Sequence, residues 1–141
     1  MLLKQEGAPV CSLEFRTRES DGRVVVVLRG ELDVTDAASV AAALTEVAAR
    51  ERHIIVDLAG LEFIDSSGLA ALARVRQHAR HAGGDLLLAA PQQQVLRVLA
   101  VTRLIEVFSV HTCVEEAVGS AGHSGLARAP VAEHPVVLVA T

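Results

Sequence analysis

The chain has 141 residues, 51% hydrophobic and 21% charged, which suits one folded domain with its own core and leaves no room for two of ordinary size. Its formal net charge is -4, and it has no Trp or Tyr, so it lacks the basic field and the aromatic platforms that a nucleic-acid partner would require. Cys11 and Cys113 form no CxxC or metal-ligand pair, and no apolar stretch has the length of a membrane span or a signal peptide, which together imply a reduced, cytoplasmic protein without a metal or other cofactor.

Residues 11–19 and 23–29 read as two strands joined at Asp21-Gly22, a dipeptide suited to a tight hairpin turn. Val24 to Leu28 form an unbroken apolar run, the pattern of a central strand covered on both faces. After Gly30-Glu31-Leu32-Asp33 the period changes: Ala37, Val40, Leu44 and Val47 mark the buried stripe of a helix that Asp33 or Thr35 can cap. His53 to Leu58 is again a strand, and Leu61-Glu62-Phe63-Ile64 leads from it into Asp65-Ser66-Ser67-Gly68.

A second helix follows with Leu69, Leu72, Val75 and Ala79 inward, ended by Gly83-Gly84. Residues 85–90 form a buried strand, and Pro91 is placed in the first turn of a third helix carrying Val95, Val98 and Leu99. Residues 104–108 suggest a last strand and 112–118 a closing helix. Helix and strand thus alternate after an initial hairpin, the order of an α/β sheet with helices packed on it. Beyond Gly119 the composition shifts to Gly, Ser, Ala and Pro, so the domain is expected to span 1–119, with 120–141 a linker and apolar tail.

The segment from Phe63 to Leu69 carries the functional expectation. A buried strand there passes through four small residues directly into an amphipathic helix, whose first turn offers unpaired N–H groups and partial positive charge to an anion. The plain alternative is that Asp65 or Ser66 only caps the helix, which stabilises by about 0.5 to 2 kcal/mol relative to Ala.

GELD at 30–33, HIIVDLAGLEFIDSSGL at 53–69 and the strand after Gly83-Gly84 resemble the STAS domain of bacterial anti-sigma factor antagonists over about residues 11–118. The resemblance implies a four- to five-stranded mixed sheet with helices mainly on one face. It implies that Ser66 is the phosphoacceptor, with Ser67 the less used neighbour. Glu31, Asp33, Asp65, Ser66, Ser67 and Gly68 then belong to the partner surface. The implied cycle is that the unphosphorylated protein binds an ATP-using anti-sigma factor kinase and frees a sigma factor. The kinase then phosphorylates and releases it, and a metal-dependent serine phosphatase resets it. A monomer or weak homodimer with no nucleic-acid or membrane contact is expected. The sequence departs from the family at Thr102-Arg103-Leu104, where a Thr-Gly-Leu is usual, and in the tail after Gly119.

Rival readings have less to stand on. A hydrolase built on Ser66 would need a base from His53, His78, His81 or His111, and no G-x-S-x-G elbow is present, since Ile64 stands two residues before the serine. His78 and His81 share a helix face, but two ligands do not make a metal site. STAS domains also serve anion transporters, lipid-transport ATPases and stress-sensing assemblies. The free-standing chain and its intact DSSGL favour the antagonist reading over these.

Overall fold

A computed structural model describes residues 13–121, and its elements run β1 (Leu13–Ser20), β2 (Arg23–Leu32), α1 (Val34–Ala48), β3 (His53–Ile64), α2 (Ser66–His81), β4 (Asp85–Ala89), α3 (Gln93–Val101), a 3₁₀ turn (Leu104–Glu106), β5 (Ser109–His111) and α4 (Val114–Ala121). The strands lie side by side in the order β1-β2-β3-β4-β5, β1 antiparallel to β2 and the others parallel, which is the mixed α/β sheet expected. Asp21 and Gly22 in the hairpin both have positive φ, +51° and +78°, as a tight primed turn requires.

Alternation along the central strands decides how the layers form. Val24, Val26 and Leu28 of β2, Ile54, Val56 and Leu58 of β3 and Leu86 and Leu88 of β4 share the main core with Val40 and Leu44 of α1, Leu69 and Leu72 of α2 and Val95 and Leu99 of α3. The opposite side chains, Val25, Ile55, Leu87 and Ala89, are covered by Val114, Ala117 and Val118 of α4. Three helices on one face and one on the other explain why the Val24–Leu28 run has no polar face.

α2 ends as Gly83-Gly84 predicted. Gly83 takes φ +88°, its N–H donates to Arg80 O at 3.1 Å, and the Gly84 N–H donates to Ala79 O at 2.8 Å, the paired bonds of a Schellman cap. A Cβ on Gly84 would lie 1.6 Å from Arg52 O, so this turn also needs glycine for space. Thr102-Arg103-Leu104 reaches the same solution without glycine: Arg103 adopts φ +64°, ψ +12°.

Three expectations need correction. Residues 104–108 are not a strand. The Phe108 N–H donates to Leu104 O at 3.0 Å, so one helical turn buries Phe108 while Ile105 and Val107 stay exposed, and β5 follows at 109–111. An apolar run this short fits a turn as well as a strand. Pro91 lies before the first turn of α3, because extended Gln92 is the N-cap. The closing helix begins at Val114 and passes through Gly119 to Ala121. Cys11 and the tail from residue 122 fall outside the described residues. Among the described residues, no helix is long and apolar enough to cross a membrane.

Gly68 sets how closely α2 approaches the sheet. A Cβ there would meet Leu32 Cγ at 2.7 Å, Ile64 Cγ1 at 2.9 Å and Leu32 O at 2.9 Å. Gly68→Ala gains about 1 kcal/mol of helix propensity, but overpacking costs about 1–3 kcal/mol and the carbonyl cannot rotate away. The urea midpoint is therefore expected to fall. Arg103→Gly should raise it: relief of a left-handed conformation is worth about 1–2 kcal/mol, partly offset by the roughly 0.5–1 kcal/mol entropy cost of glycine.

Candidate functional site

β2 and β3 continue together past the end of β4. The β3–β4 pairing stops at Asp57↔Ala89, whereas β2–β3 pairing runs on through Glu31↔Phe63 to Leu32↔Ile64. Register shifts between Val27 and Arg29 and between Gly30 and Glu31, with Gly30 at φ +104°, mark irregularities in this overhang. Along β3, the carbonyls of Ala59 and Glu62 accept from the side-chain amides of Gln92 (2.7 Å) and Gln94 (3.1 Å) at the start of α3.

Each strand of the overhang turns into a helix at an aspartate. Asp33 caps α1, its Oδ1 accepting the Thr35 N–H at 3.0 Å, and Asp65 caps α2, its Oδ1 accepting the Gly68 N–H at 2.9 Å. The Asp65 N–H in turn donates to Leu32 O at 3.2 Å, which clasps the two junctions together. Since Leu32 and Ile64 are paired, Val34 and Ser66 occupy equivalent places as the first helical residues of α1 and α2.

The structure thus brings Glu31, Asp33, Asp65, Ser66 and Ser67 to one end of the sheet. Ser66 is exposed and makes no side-chain hydrogen bond among the described residues, Ser67 is half-buried, and Gly68 is buried under α2. Asp33 and Asp65 are half-buried, Glu31 and Glu62 are exposed, and none of the four forms an ion pair among the described residues. The Asp65 carboxylate is engaged with the helix, so the cap and the exposed hydroxyl are different side chains.

Sequence reasoning missed three residues here. Asp36, in the first turn of α1, is only 3% exposed, and its charge sits where the helix dipole favours an anion. Val34 is 70% exposed and Phe63 46% exposed. Phe63 is one of three aromatic residues in the chain, and the other two, Phe15 and Phe108, are core.

A phosphate on Ser66 would sit at the N-terminus of a 16-residue helix without displacing any buried group. A serine hydrolase finds no support in this geometry. His78 and His81 lie at the other end of α2, roughly 18 Å from Ser66 or more at 1.5 Å per residue. His53 opens β3 at its far end. His111 is engaged by Ser109 Oγ at 2.9 Å and Glu116 Oε1 at 3.4 Å. Glu116 is held below the usual carboxylate range, first by the Thr112 N–H and then by His111. Among the described residues, no group of three His, Cys, Asp or Glu side chains gathers as a metal site.

Comparison with known proteins agrees with this architecture. A family model described as STAS domain matches residues 14–117. A Mycobacterium tuberculosis protein named as an anti-anti-sigma factor, Rv2638, is 32% identical over 130 residues, covering 90% of this chain and 87% of that one. The crystal structure of an anti-sigma factor antagonist from Mycobacterium paratuberculosis superposes with a TM-score of 0.71 at 25% identity, over 79% of this chain and 95% of that one. Bacillus SpoIIAA, another anti-sigma factor antagonist, shares the fold at 23% identity in both of its forms. The unphosphorylated form gives a TM-score of 0.66 over 81% and 99% of the two chains, and the phosphorylated form 0.59 over 75% and 97%. With the family match spanning most of its length and its five-stranded sheet shared by these structures, the chain belongs to the STAS domain family.

Proposed function

We propose that this chain is a cytoplasmic anti-sigma factor antagonist, a binding protein rather than an enzyme, whose partner choice is set by phosphorylation of Ser66. Unphosphorylated, it binds an ATP-binding anti-sigma factor kinase and frees the sigma factor. Phosphorylated by that kinase at Ser66, it lets go until a serine phosphatase restores the hydroxyl. The observation that carries this reading is the exposed, unengaged Ser66 hydroxyl in the first turn of α2, clasped beside the Asp33 junction. The relatives named as antagonists supply the partner class, and SpoIIAA has been solved in phosphorylated and unphosphorylated forms.

Magnitudes explain how the switch can act without remodelling the fold. A phosphoserine carries about -1.5 to -2 charges, and a helix N-terminus favours such an anion by about 0.3–1 kcal/mol. In the complex, a desolvated charge without a partner costs about 2–5 kcal/mol, at least about 30-fold in affinity. Loss of the interface therefore dominates, and stability changes little.

Incubated with its anti-sigma factor kinase and ATP, the wild type should gain one phosphate by intact mass and Ser66→Ala none. Equal phosphorylation of Ser66→Ala would place the acceptor elsewhere. Ser66→Asp should keep the circular dichroism spectrum and melting temperature of the wild type to within a few degrees, yet bind the anti-sigma factor at least about 30-fold more weakly. Unchanged binding would remove charge as the switch.

A further inference from the structure

We infer that Val34 and Phe63 are the apolar anchors by which the unphosphorylated chain docks, and that the anti-sigma factor receives them in an apolar groove rimmed by basic side chains; this rests on the antagonist role proposed above. Val34 is 70% and Phe63 46% exposed, and they stand on the two junctions that the Asp65–Leu32 hydrogen bond clasps together. Val34 occupies in α1 the place that Ser66 occupies in α2, and Phe63 lies three residues before Ser66 on β3. Among the described residues, the other large exposed apolar side chains are Val101 at the end of α3, Ile105 in the 3₁₀ turn and Val107 just after it.

Charge defines the partner. Glu31 is paired in register with Phe63, Glu62 precedes Phe63, Asp33 precedes Val34 and Asp65 precedes Ser66. None of these four carboxylates is neutralised by an ion pair among the described residues. Apolar anchors amid carboxylates match the anatomy of a protein interface, with a dry centre and a polar rim, in which an aromatic side chain carries a disproportionate share of the binding. The complementary surface is apolar at its centre and basic at its edge.

This arrangement also accounts for the sign of the switch. A basic rim by itself would attract a further negative charge. A phosphate on Ser66, however, is set down at the same end of the sheet as Val34 and Phe63, within the surface from which docking must expel water. A dianion there holds its hydration shell against the groove, so desolvation separates the partners although rim attraction persists.

Surface plasmon resonance with the purified, ADP-loaded anti-sigma factor kinase tests the inference. Phe63→Ala should weaken binding at least about tenfold, mostly through faster dissociation, whereas Val101→Ala, a control at a 78% exposed position, should bind as wild type. Val34→Lys, at a position exposed enough to leave the fold intact, should also weaken binding at least about tenfold, which keeps the test open if Phe63→Ala folds poorly. Added salt should slow association of the wild type and Phe63→Ala alike. If Phe63→Ala and Val34→Lys both bind within about twofold of wild type while Ser66→Asp has lost binding, the anchors are overturned and the switch stands. If instead Ser66→Asp binds as wild type but Phe63→Ala does not, the anchors stand and the phosphorylation reading falls.

Discussion

The parallel pairing of β2 with β3, carried to its last residue, is the constraint on which the rest of this molecule depends. Because Leu32 and Ile64 finish at the same level and the Asp65 N–H bonds to Leu32 O, two strand-to-helix turns are forced to stand shoulder to shoulder. Everything placed at those turns is then adjacent by construction: the capping carboxylates of Asp33 and Asp65, the exposed Val34, and the Ser66 hydroxyl. The missing side chain at Gly68 lets α2 come down onto Leu32 and Ile64 closely enough to hold this arrangement.

Stability and switching draw on different parts of the structure. The core lies between the sheet and α1, α2 and α3, with a smaller apolar layer under α4, and none of it includes Ser66. The caps use Asp33 and Asp65 side chains, which leaves the neighbouring hydroxyl without a hydrogen bond among the described residues. A charge added at that hydroxyl meets a helix end that accepts it, so its effect is felt where a partner must exclude water.

Much of this could be read in the amino-acid order, and the failures have physical causes. The Val24–Leu28 run announced a strand covered on both faces, and Asp21-Gly22 and Gly83-Gly84 announced turns that only positive φ can make. Arg103 stands in the sequence where the family usually has glycine, and its left-handed backbone shows that the turn keeps its shape. Residues 104–108 misled because an apolar pentapeptide satisfies strand and helical-turn patterns alike, and only packing of Leu104 and Phe108 decides. That Asp33, Asp65 and Ser66 stand where a strand gives way to a helix was legible from the change of period around them, whereas their roles rest on the family resemblance. The exposure of Val34 and Phe63 was not legible, because an apolar residue beside a buried strand looks like core until the end of the sheet is located in space. The glutamine bonds from Gln92 and Gln94 to β3 join residues 32 or more positions apart, a separation that no local pattern reports.

The strand order has a last consequence. Each strand lies next to the one made just before it, from β1 through β5, with no later segment inserted between earlier ones. A chain emerging from the ribosome therefore never has to reopen a finished edge. Each newly extruded strand finds its neighbour already made, and both turns, at Asp33 and Asp65, precede β4, α3, β5 and α4 in the chain.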